Sequence, residues 1–170
     1  EFSLTDIEKM QAFVKAYKPD VVIHCAAYTA VDKAEDEVEL CAQINHLATK
    51  ELAKVCKEID AKMIYVSTDY VFAGSGEDFY EVNDEKAPQN VYGKSKLDGE
   101  LAVQEILDKY FIVRISWVFG SNGKNFIKTM LNLAKNHDKL TVVNDQIGSP
   151  TYTVDLAKLL CDMALSDKYG

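Results

Sequence analysis

The stretch AKMIYVST (residues 61–68) is a short, mostly apolar and β-branched run that ends in two hydroxyl side chains. Two other runs, DVVIHCAA (20–27) and YFIVRIS (110–116), have the same character. Such runs are typical of strands that are buried on both faces of a sheet. Segments with helical periodicity separate them, so the sequence predicts an α/β fold with a doubly wound, parallel, Rossmann-like sheet.

Capping residues and periodicity predict the other elements. We expect Thr5 to cap a first helix, in a capping box with Glu8, and Pro19 to end that helix. The next helix is expected to turn Leu40, Ile44, Leu47, Leu52 and Val55 largely inward. The predicted ranges are a helix at 36–59, a polar loop at 69–89, a helix from about 90 to 107, a helix at 125–137, a strand at 139–143 and a last helix at 154–166, capped by Thr153.

Composition narrows the functional classes. The 170 residues suit one domain with a substantial core. A formal net charge of −8 disfavours a nucleic-acid-binding surface, and no apolar run has the length of a membrane span. The four cysteines form no zinc pattern, and no metal site is predicted. We expect the cysteines at apolar positions, in a protein of the reducing cytoplasm.

The ends of the three predicted strands carry candidate ligand-binding residues, because ligands bind there in such sheets. AAYTAVD (26–32) begins with two small alanines that allow close approach to the backbone, although a tight turn would also explain them. STDYVF (67–72) offers three hydrogen-bonding side chains, for which the alternative is a turn. WVFG (117–120) contains the lone Trp117, which core packing would also explain.

Tyr92 and Lys96 lie one helical turn apart in NVYGKSKLDG (90–99). The spacing alone is a weak signal, since about one Tyr-x-x-x-Lys pair is expected by chance. The predicted helix follows the strand that ends at Thr68, so its first turn is expected beside that end. A nearby ammonium should lower the pKa of the tyrosine. Tyr92 is therefore a candidate proton donor to a carbonyl, with Thr68 on the same oxygen.

Asn45 falls in line with Cys41, Ala48 and Leu52 on a predicted buried helix face. A buried amide requires hydrogen-bond partners. An active-site loop or ordered water would supply them, and so would a purely structural contact.

Five segments carry a resemblance to a known family. Together they resemble the dTDP-4-dehydrorhamnose reductase family of extended short-chain dehydrogenase/reductases, over nearly the whole chain. This resemblance implies reduction of dTDP-4-dehydro-L-rhamnose, a 4-keto sugar nucleotide, to dTDP-L-rhamnose by hydride from NADPH or NADH. The segments are CAAYTAVDKAE (25–35), STDYVFAG (67–74), YGKSKLDGE (92–100), SWVFG (116–120) and VVNDQIGSPTYTVDLA (142–157).

The resemblance also implies roles for individual residues. Tyr92 would donate the proton, with Lys96 as its partner and Thr68 tuning it. Thr68, Asp69 and Trp117 would contact the sugar, and the loop at 146–151 would approach the nucleotide portion of the substrate. The cofactor would be contacted by Ser3, Leu4, Ala26, Ala27, Tyr28, Thr29, Tyr92 and Lys96.

The sequence departs from the family pattern at both ends. The glycine-rich strand–turn–helix that cradles a pyrophosphate and the C-terminal substrate domain are missing, and Ser3 stands where an Asp is expected. We therefore expect residues 1–170 to be a partial dinucleotide-binding domain, with the Tyr92 helix, of a longer enzyme. The choice between NAD and NADP, a magnesium requirement and a homodimer are left open by these residues.

Two alternatives stay open at the sequence level. Sugar-nucleotide epimerases and dehydratases share the Tyr and the Lys, and a dehydratase typically needs further acid–base residues where Asp69 and Tyr70 stand. A non-catalytic, reductase-like regulatory subunit that partners methionine adenosyltransferase shares the fold. The intact set of Thr68, Tyr92 and Lys96 argues against the regulatory subunit.

Overall fold

The computed structural model describes residues 2–76 and 78–170, and a three-stranded parallel sheet lies at its centre. The strands are β1 (Val21–His24), β2 (Lys62–Thr68) and β3 (Tyr110–Ile115). Strand β2 lies between the other two, with Ile64 paired to Ile23 on one side and to Phe111 on the other. Because the strands are parallel, their carboxyl ends meet at one edge of the sheet.

Helices connect these strands, and a second, two-stranded parallel sheet follows them. A π-helical segment (Gln43–Leu47) joins two of the helices, and a 3₁₀ turn (Asp69–Val71) follows β2. The helices are α1 (Ile7–Tyr17), α2 (Val31–Ala34), α3 (Val38–Ala42), α4 (Ala48–Glu58), α5 (Val91–Ile106), α6 (Phe126–Leu133) and α7 (Thr153–Ala164), and the short strands are β4 (Val118–Phe119) and β5 (Thr151–Tyr152).

The central sheet is covered on both faces, as the doubly wound pattern requires. Side chains alternate along β2, so that Met63 and Tyr65 pack into a cluster with α1, α4 and α5. Ile64 points the other way and packs, with Phe111, against Leu160 of α7. Burying such side chains stabilises the fold by about 1.5–3 kcal/mol each. The predicted Rossmann-like parallel sheet is confirmed.

The predicted helix at 36–59 is interrupted by the π-helical segment, and its buried face agrees with the prediction only in part. Leu52 and Val55 are buried as predicted, but Leu40 and Leu47 are 38% and 49% exposed. Cys41, Asn45 and Thr49 also face the core. Polar side chains occupy this face because hydrogen bonds satisfy them, which hydrophobic periodicity does not register. The prediction that Asn45 is buried is confirmed.

Three local predictions were wrong. The side chain of Asp6, and not of Thr5, caps α1 by accepting a hydrogen bond from the Lys9 amide. Thr153 is the first residue of α7 and not its cap. The segment 139–143 forms no strand, and Val143 is 66% exposed there, because no strand among the described residues pairs with it.

The cysteines divide into two pairs. Cys41 and Cys56 are buried, as expected, but Cys25 and Cys161 are exposed. The expectation of apolar, core-facing positions is therefore confirmed for Cys41 and Cys56 and wrong for Cys25 and Cys161. Cys25 lies just past the end of β1, at the sheet edge.

Gly99 permits the closest helix contact in this core. A Cβ at Gly99 would lie 2.5 Å from the Asn45 carbonyl oxygen and 2.5 Å from the Tyr65 hydroxyl. That hydroxyl donates a hydrogen bond to the same carbonyl, over 3.2 Å. The glycine therefore lets α5 pack directly on the π-helical segment.

We predict that Gly99→Ala lowers the melting temperature of the protein. Overpacking typically costs about 1–3 kcal/mol, which exceeds the ~1 kcal/mol that alanine normally gains over glycine inside a helix. Thermal unfolding followed by circular dichroism measures the change. Gln104→Ala, at an exposed position of the same helix, is the control and should leave the melting temperature nearly unchanged. A Gly99→Ala protein as stable as the wild type would contradict the packing.

Candidate active site

A cavity of about 440 Å³ opens at the carboxyl edge of the central sheet. Its walls come from the segments that follow β1, β2 and β3, together with α5 and α7. This is the position at which doubly wound sheets bind ligands. The volume lies in the range of small-molecule sites.

Most of the predicted site residues line this one cavity. The segments after β1 and β2 converge on the first turns of α5, and the segment after β3 closes the cavity. The predicted residues in its wall are Ala27, Thr29, Thr68, Asp69, Tyr92, Lys96 and Trp117.

Four predicted cofactor contacts lie outside the cavity wall. Ala26 is exposed, and Tyr28 donates its hydroxyl to Glu37 over 2.7 Å. The Ser3 hydroxyl shares a hydrogen bond with Thr5, and Leu4 packs against the core. Their roles stay predictions that this cavity does not test.

The first turn of α5 is held against the end of β2. Asn90 caps the helix by accepting a hydrogen bond from the Gly93 amide over 2.7 Å. A Cβ at Gly93 would overlap the carbonyl oxygen of Tyr70 in the 3₁₀ turn. This glycine therefore allows the close approach that brings Tyr92 beside Thr68.

Thr68 combines a structural role with its place in the cavity. Its hydroxyl accepts a hydrogen bond from the Tyr70 amide over 3.2 Å and donates to Asp69 over 3.1 Å. Both interpretations of STDYVF therefore apply: the segment forms a turn, and Thr68 also lines the cavity. Burial raises the pKa of the Asp69 carboxyl, while the Thr68 hydroxyl and backbone amides lower it.

The Tyr92 phenol is mostly buried and meets the Tyr70 ring edge-on, with centroids 5.7 Å apart. Burial raises the pKa of Tyr92; the Thr68 hydroxyl lowers it, and Asp69 adds to the increase. We expected the Lys96 ammonium to lower this pKa. In this structure the loss of hydration outweighs any such effect, and the tyrosine stays protonated at neutral pH.

The Lys96 ammonium is almost fully buried. It donates a hydrogen bond to the Val66 carbonyl oxygen over 2.8 Å and lies 4.0 Å from the centroid of the Tyr65 ring. Burial lowers the pKa of Lys96 to about 8, while the Glu100 carboxylate raises it. Lys96 is thus a cation held at the cavity wall with a carbonyl and an aromatic face as partners.

Asn45 fixes the segment that follows β1. Its side chain accepts a hydrogen bond from the Tyr28 amide over 2.8 Å and donates to the Tyr28 carbonyl over 3.1 Å. It also donates to the hydroxyl of Ser95 on α5, over 3.0 Å. Of the partners considered for this buried amide, both the loop after β1 and a structural contact with a neighbouring helix are found.

Comparisons with known proteins identify the family. The family profile described as "RmlD substrate binding domain" matches residues 1–169.

The chain belongs to this family.

Its named relatives are reductases. The chain is 48% identical over 149 residues to the dTDP-4-dehydrorhamnose reductase of Escherichia coli K12, covering 88% of this chain and 48% of that protein. It is 47% identical over 159 residues to that of Mycolicibacterium smegmatis, covering 92% and 48%. The chain thus spans about half the length of the curated relatives it matches.

Solved structures agree in fold. The dTDP-4-dehydrorhamnose reductase of Bacillus anthracis, solved in complex with NADP, superposes with a TM-score of 0.96 at 44% identity, covering 99% of this chain and 60% of that one. The enzyme of the same name from Clostridium acetobutylicum gives a TM-score of 0.95 at 45% identity, covering 98% and 59%.

Several lining residues of this RmlD-type site were not predicted. Cys25 lies in the wall, as do Leu156 and Leu160 of α7; Ser67, one of the three hydrogen-bonding residues noted in STDYVF, lines it as well. The leucines were recognised only as helix positions, because their approach to the sheet depends on tertiary packing. Trp117 is 49% exposed, so the core-packing alternative for it does not hold, and its φ of 46° places it in the left-handed region.

Two further findings concern other classes of ligand. Within residues 2–76 and 78–170, no group of three or more His, Cys, Asp or Glu side chains is arranged to hold a metal ion. None of the helices in the same described ranges is both long and apolar enough to cross a membrane.

His24 ends β1 beneath the cavity and is 5% exposed. Its Nε2 lies 3.1 Å from the Thr49 hydroxyl, and its ring stacks on Tyr65 with centroids 5.5 Å apart. Burial, with a smaller contribution from the charge of Lys96, lowers the pKa of His24 to about 4. Between pH 6.5 and about 4, His24 is therefore protonated in the unfolded chain and neutral in the folded protein.

We predict that His24→Phe makes the protein less sensitive to acid. In the wild type, the lowered pKa makes stability fall with pH through that window, by on the order of 2–3 kcal/mol from pH 7 to 4.5. The phenylalanine retains the contact with Tyr65 and binds no proton. Urea unfolding at both pH values measures the difference. His137→Gln, which removes an exposed imidazole, should keep the wild-type acid sensitivity; a His24→Phe protein that keeps it too would contradict this assignment.

Proposed function

We propose that the full-length protein reduces the 4-keto group of dTDP-4-dehydro-L-rhamnose to give dTDP-L-rhamnose, with hydride from NADPH or NADH. The observation that supports this most is the convergence of Thr68, Tyr92 and Lys96 on one cavity. The names of the relatives support the substrate, and the NADP in the Bacillus anthracis structure supports the cofactor. The proposal concerns the whole protein, because this chain spans only about half the length of its relatives.

The cavity fits the nicotinamide end of such a cofactor. Its wall is largely apolar, with Val66, Ile115 and Leu156 available to pack against a flat ring. Tyr92 and Lys96 supply hydroxyl and ammonium groups for ribose hydroxyls. When bound, the cofactor supplies a hydride to the carbonyl carbon. Ala27 and Thr29 would lie along it in the cavity wall, with Ala26 and Tyr28 beside them and Ser3 and Leu4 towards the adenine.

Tyr92 then completes the reduction. As the carbonyl carbon gains the hydride, its oxygen takes the proton of the Tyr92 hydroxyl, and the C=O bond becomes CH–OH. The phenolate left behind is stabilised by the Thr68 hydroxyl and by the ammonium of Lys96. Bulk water then restores the proton.

The remaining predicted contacts position the sugar. We infer that Thr68 hydrogen-bonds the ketone oxygen and that Asp69 accepts a hydrogen bond from a sugar hydroxyl. Trp117 lines this cavity and a second one of about 280 Å³, which also contains Gln146 and Ile147 of the loop at 146–151. We assign the second cavity to the nucleotide portion of the substrate, as the sequence resemblance implies.

A cytoplasmic location accords with this function. None of the four cysteines forms a disulfide, as expected in a reducing compartment. Nucleotide sugars supply biosynthesis from inside the cell, so the substrate suits the same compartment.

We predict that Tyr92→Phe lowers kcat for NADPH oxidation by about 10²–10⁴-fold, because it removes the general acid. The substrate is dTDP-4-dehydro-L-rhamnose, and the assay follows the absorbance of NADPH. Binding of NADPH, measured by its fluorescence, should weaken far less than kcat falls, since one hydroxyl contact to the ribose is lost while the aromatic ring and Lys96 are retained. Tyr17→Phe, which removes an exposed hydroxyl on α1, should keep wild-type turnover.

Analysis of the sugar-nucleotide products, beside this absorbance assay, separates the alternatives. Net loss of water from a glucose nucleotide would identify a dehydratase, and inversion without net NADPH oxidation an epimerase. A wild-type protein that turns over no sugar nucleotide would support a regulatory subunit that acts by binding.

A further inference from the structure

A buried ion pair lies one helical turn beyond Lys96. Glu100 of α5 is 1% exposed, and Arg114 reaches it from β3. The Arg114 Nε lies 2.9 Å and 3.3 Å from the two carboxylate oxygens, and its Nη2 lies 2.7 Å from the second. Both oxygens of Glu100 are thus engaged by the only arginine in the sequence.

Glu100 would otherwise be a natural partner for Lys96. The two residues are four apart on one helix, the spacing at which opposite charges pair. Both side chains are almost fully buried, so water weakens their attraction little. The carboxylate also lies close enough to raise the pKa of Lys96 against the effect of burial.

The Lys96 ammonium nevertheless bonds elsewhere. It donates to the Val66 carbonyl oxygen at the end of β2 and lies over the Tyr65 ring. A planar guanidinium that grips both carboxylate oxygens is the strong competitor here, because a bidentate pair outweighs a single ammonium contact. The other titratable groups around Lys96 are Tyr92 on α5, His24 and Cys25 at the end of β1, and Cys41 on α3.

We propose that Arg114 is a positioning residue: by occupying both oxygens of Glu100, it keeps the Lys96 ammonium at the Val66 carbonyl, beside the cavity, and out of an ion pair with Glu100. The consequence of this contact for catalysis rests on the function proposed above. The effect of Arg114 on the position of Lys96 is independent of that function.

Arg114 has a second role that an experiment must separate. Its Nη1 donates to the Val82 carbonyl oxygen over 3.2 Å, and its guanidinium lies 5.2 Å from the centroid of the Phe72 ring. Arg114 therefore also fastens the loop that follows β2. Any substitution of Arg114 removes this tie, whether or not Glu100 is present.

The test compares Arg114→Met with the double variant Arg114→Met/Glu100→Met. Both lose the loop tie, but only the first leaves a free carboxylate to capture Lys96. The probe is the ε-CH₂ signal of Lys96 in full-length protein labelled with ¹³C-lysine, assigned by its loss in Lys96→Met. In the wild type the Tyr65 ring current should displace this signal upfield.

We expect the upfield displacement to vanish in Arg114→Met and to return in the double variant. The pKa of Lys96, titrated on the same signal, should rise in the single variant above its value of about 8 and fall below that value in the double variant. A displacement that persists in Arg114→Met would overturn the proposal and leave Arg114 as a loop anchor. If Arg114→Met does not fold, Arg114→Lys carries the test, because a lysine engages only one carboxylate oxygen and should release Lys96 in part.

Kinetic measurements on the same variants connect the position of Lys96 to the proposed function. NADPH oxidation should fall in Arg114→Met and recover in the double variant, with the alkaline limb of its pH profile moving in step with the NMR pKa. A wild-type protein without turnover would refute the function and leave the NMR result to decide the inference about Arg114.

Discussion

The close approach of α5 to β2 is the constraint on which the rest of the site depends. Gly93 allows the helix to begin against the Tyr70 carbonyl, and Gly99 allows it to cross the Asn45 carbonyl and the Tyr65 hydroxyl. With larger residues at these two points the helix would stand off from the sheet. Tyr92 directly precedes the first of these glycines and Lys96 lies between the two, so the close packing of α5 brings both residues to the end of β2.

This packing places polar groups where water cannot reach them, and each requires a partner. Asn45 satisfies the backbone of Tyr28, Lys96 satisfies Val66, and Arg114 satisfies Glu100. An unpaired buried group of this kind would cost about 1–3 kcal/mol, or more if charged. Within the described residues, the one buried side-chain polar atom without a protein partner is the hydroxyl of Ser67, at the end of β2. The buried polar groups around the cavity are therefore hydrogen-bonded within the protein, except for this hydroxyl at the end of β2.

The sequence predicted what depends on local pattern. Apolar runs located the three central strands, and strand ends located Thr68, Asp69 and Trp117 in the cavity wall. It failed where partners decide the outcome. The apolar segment at 139–143 has the composition of a strand but pairs with no strand of the described residues, and Leu40 and Leu47, which were expected to face inward, are exposed. Cys25 and the leucines of α7 enter the site through tertiary packing, which leaves no local signal.

The direction of the Tyr92 pKa shift bears on the proposed reaction. The sequence argument required a lowered pKa, yet burial raises it. For reduction the phenol must enter the reaction protonated, and a raised pKa secures that form at neutral pH. The proton is released only as negative charge develops on the ketone oxygen, whose basicity then exceeds that of the phenolate. Burial also lowers the pKa of Lys96 to about 8, which leaves its ammonium mostly charged at neutral pH. In the proposed reaction a bound nicotinamide cofactor would supply the hydride, and the charge of Lys96 in these low-dielectric surroundings would favour the phenolate that Tyr92 leaves.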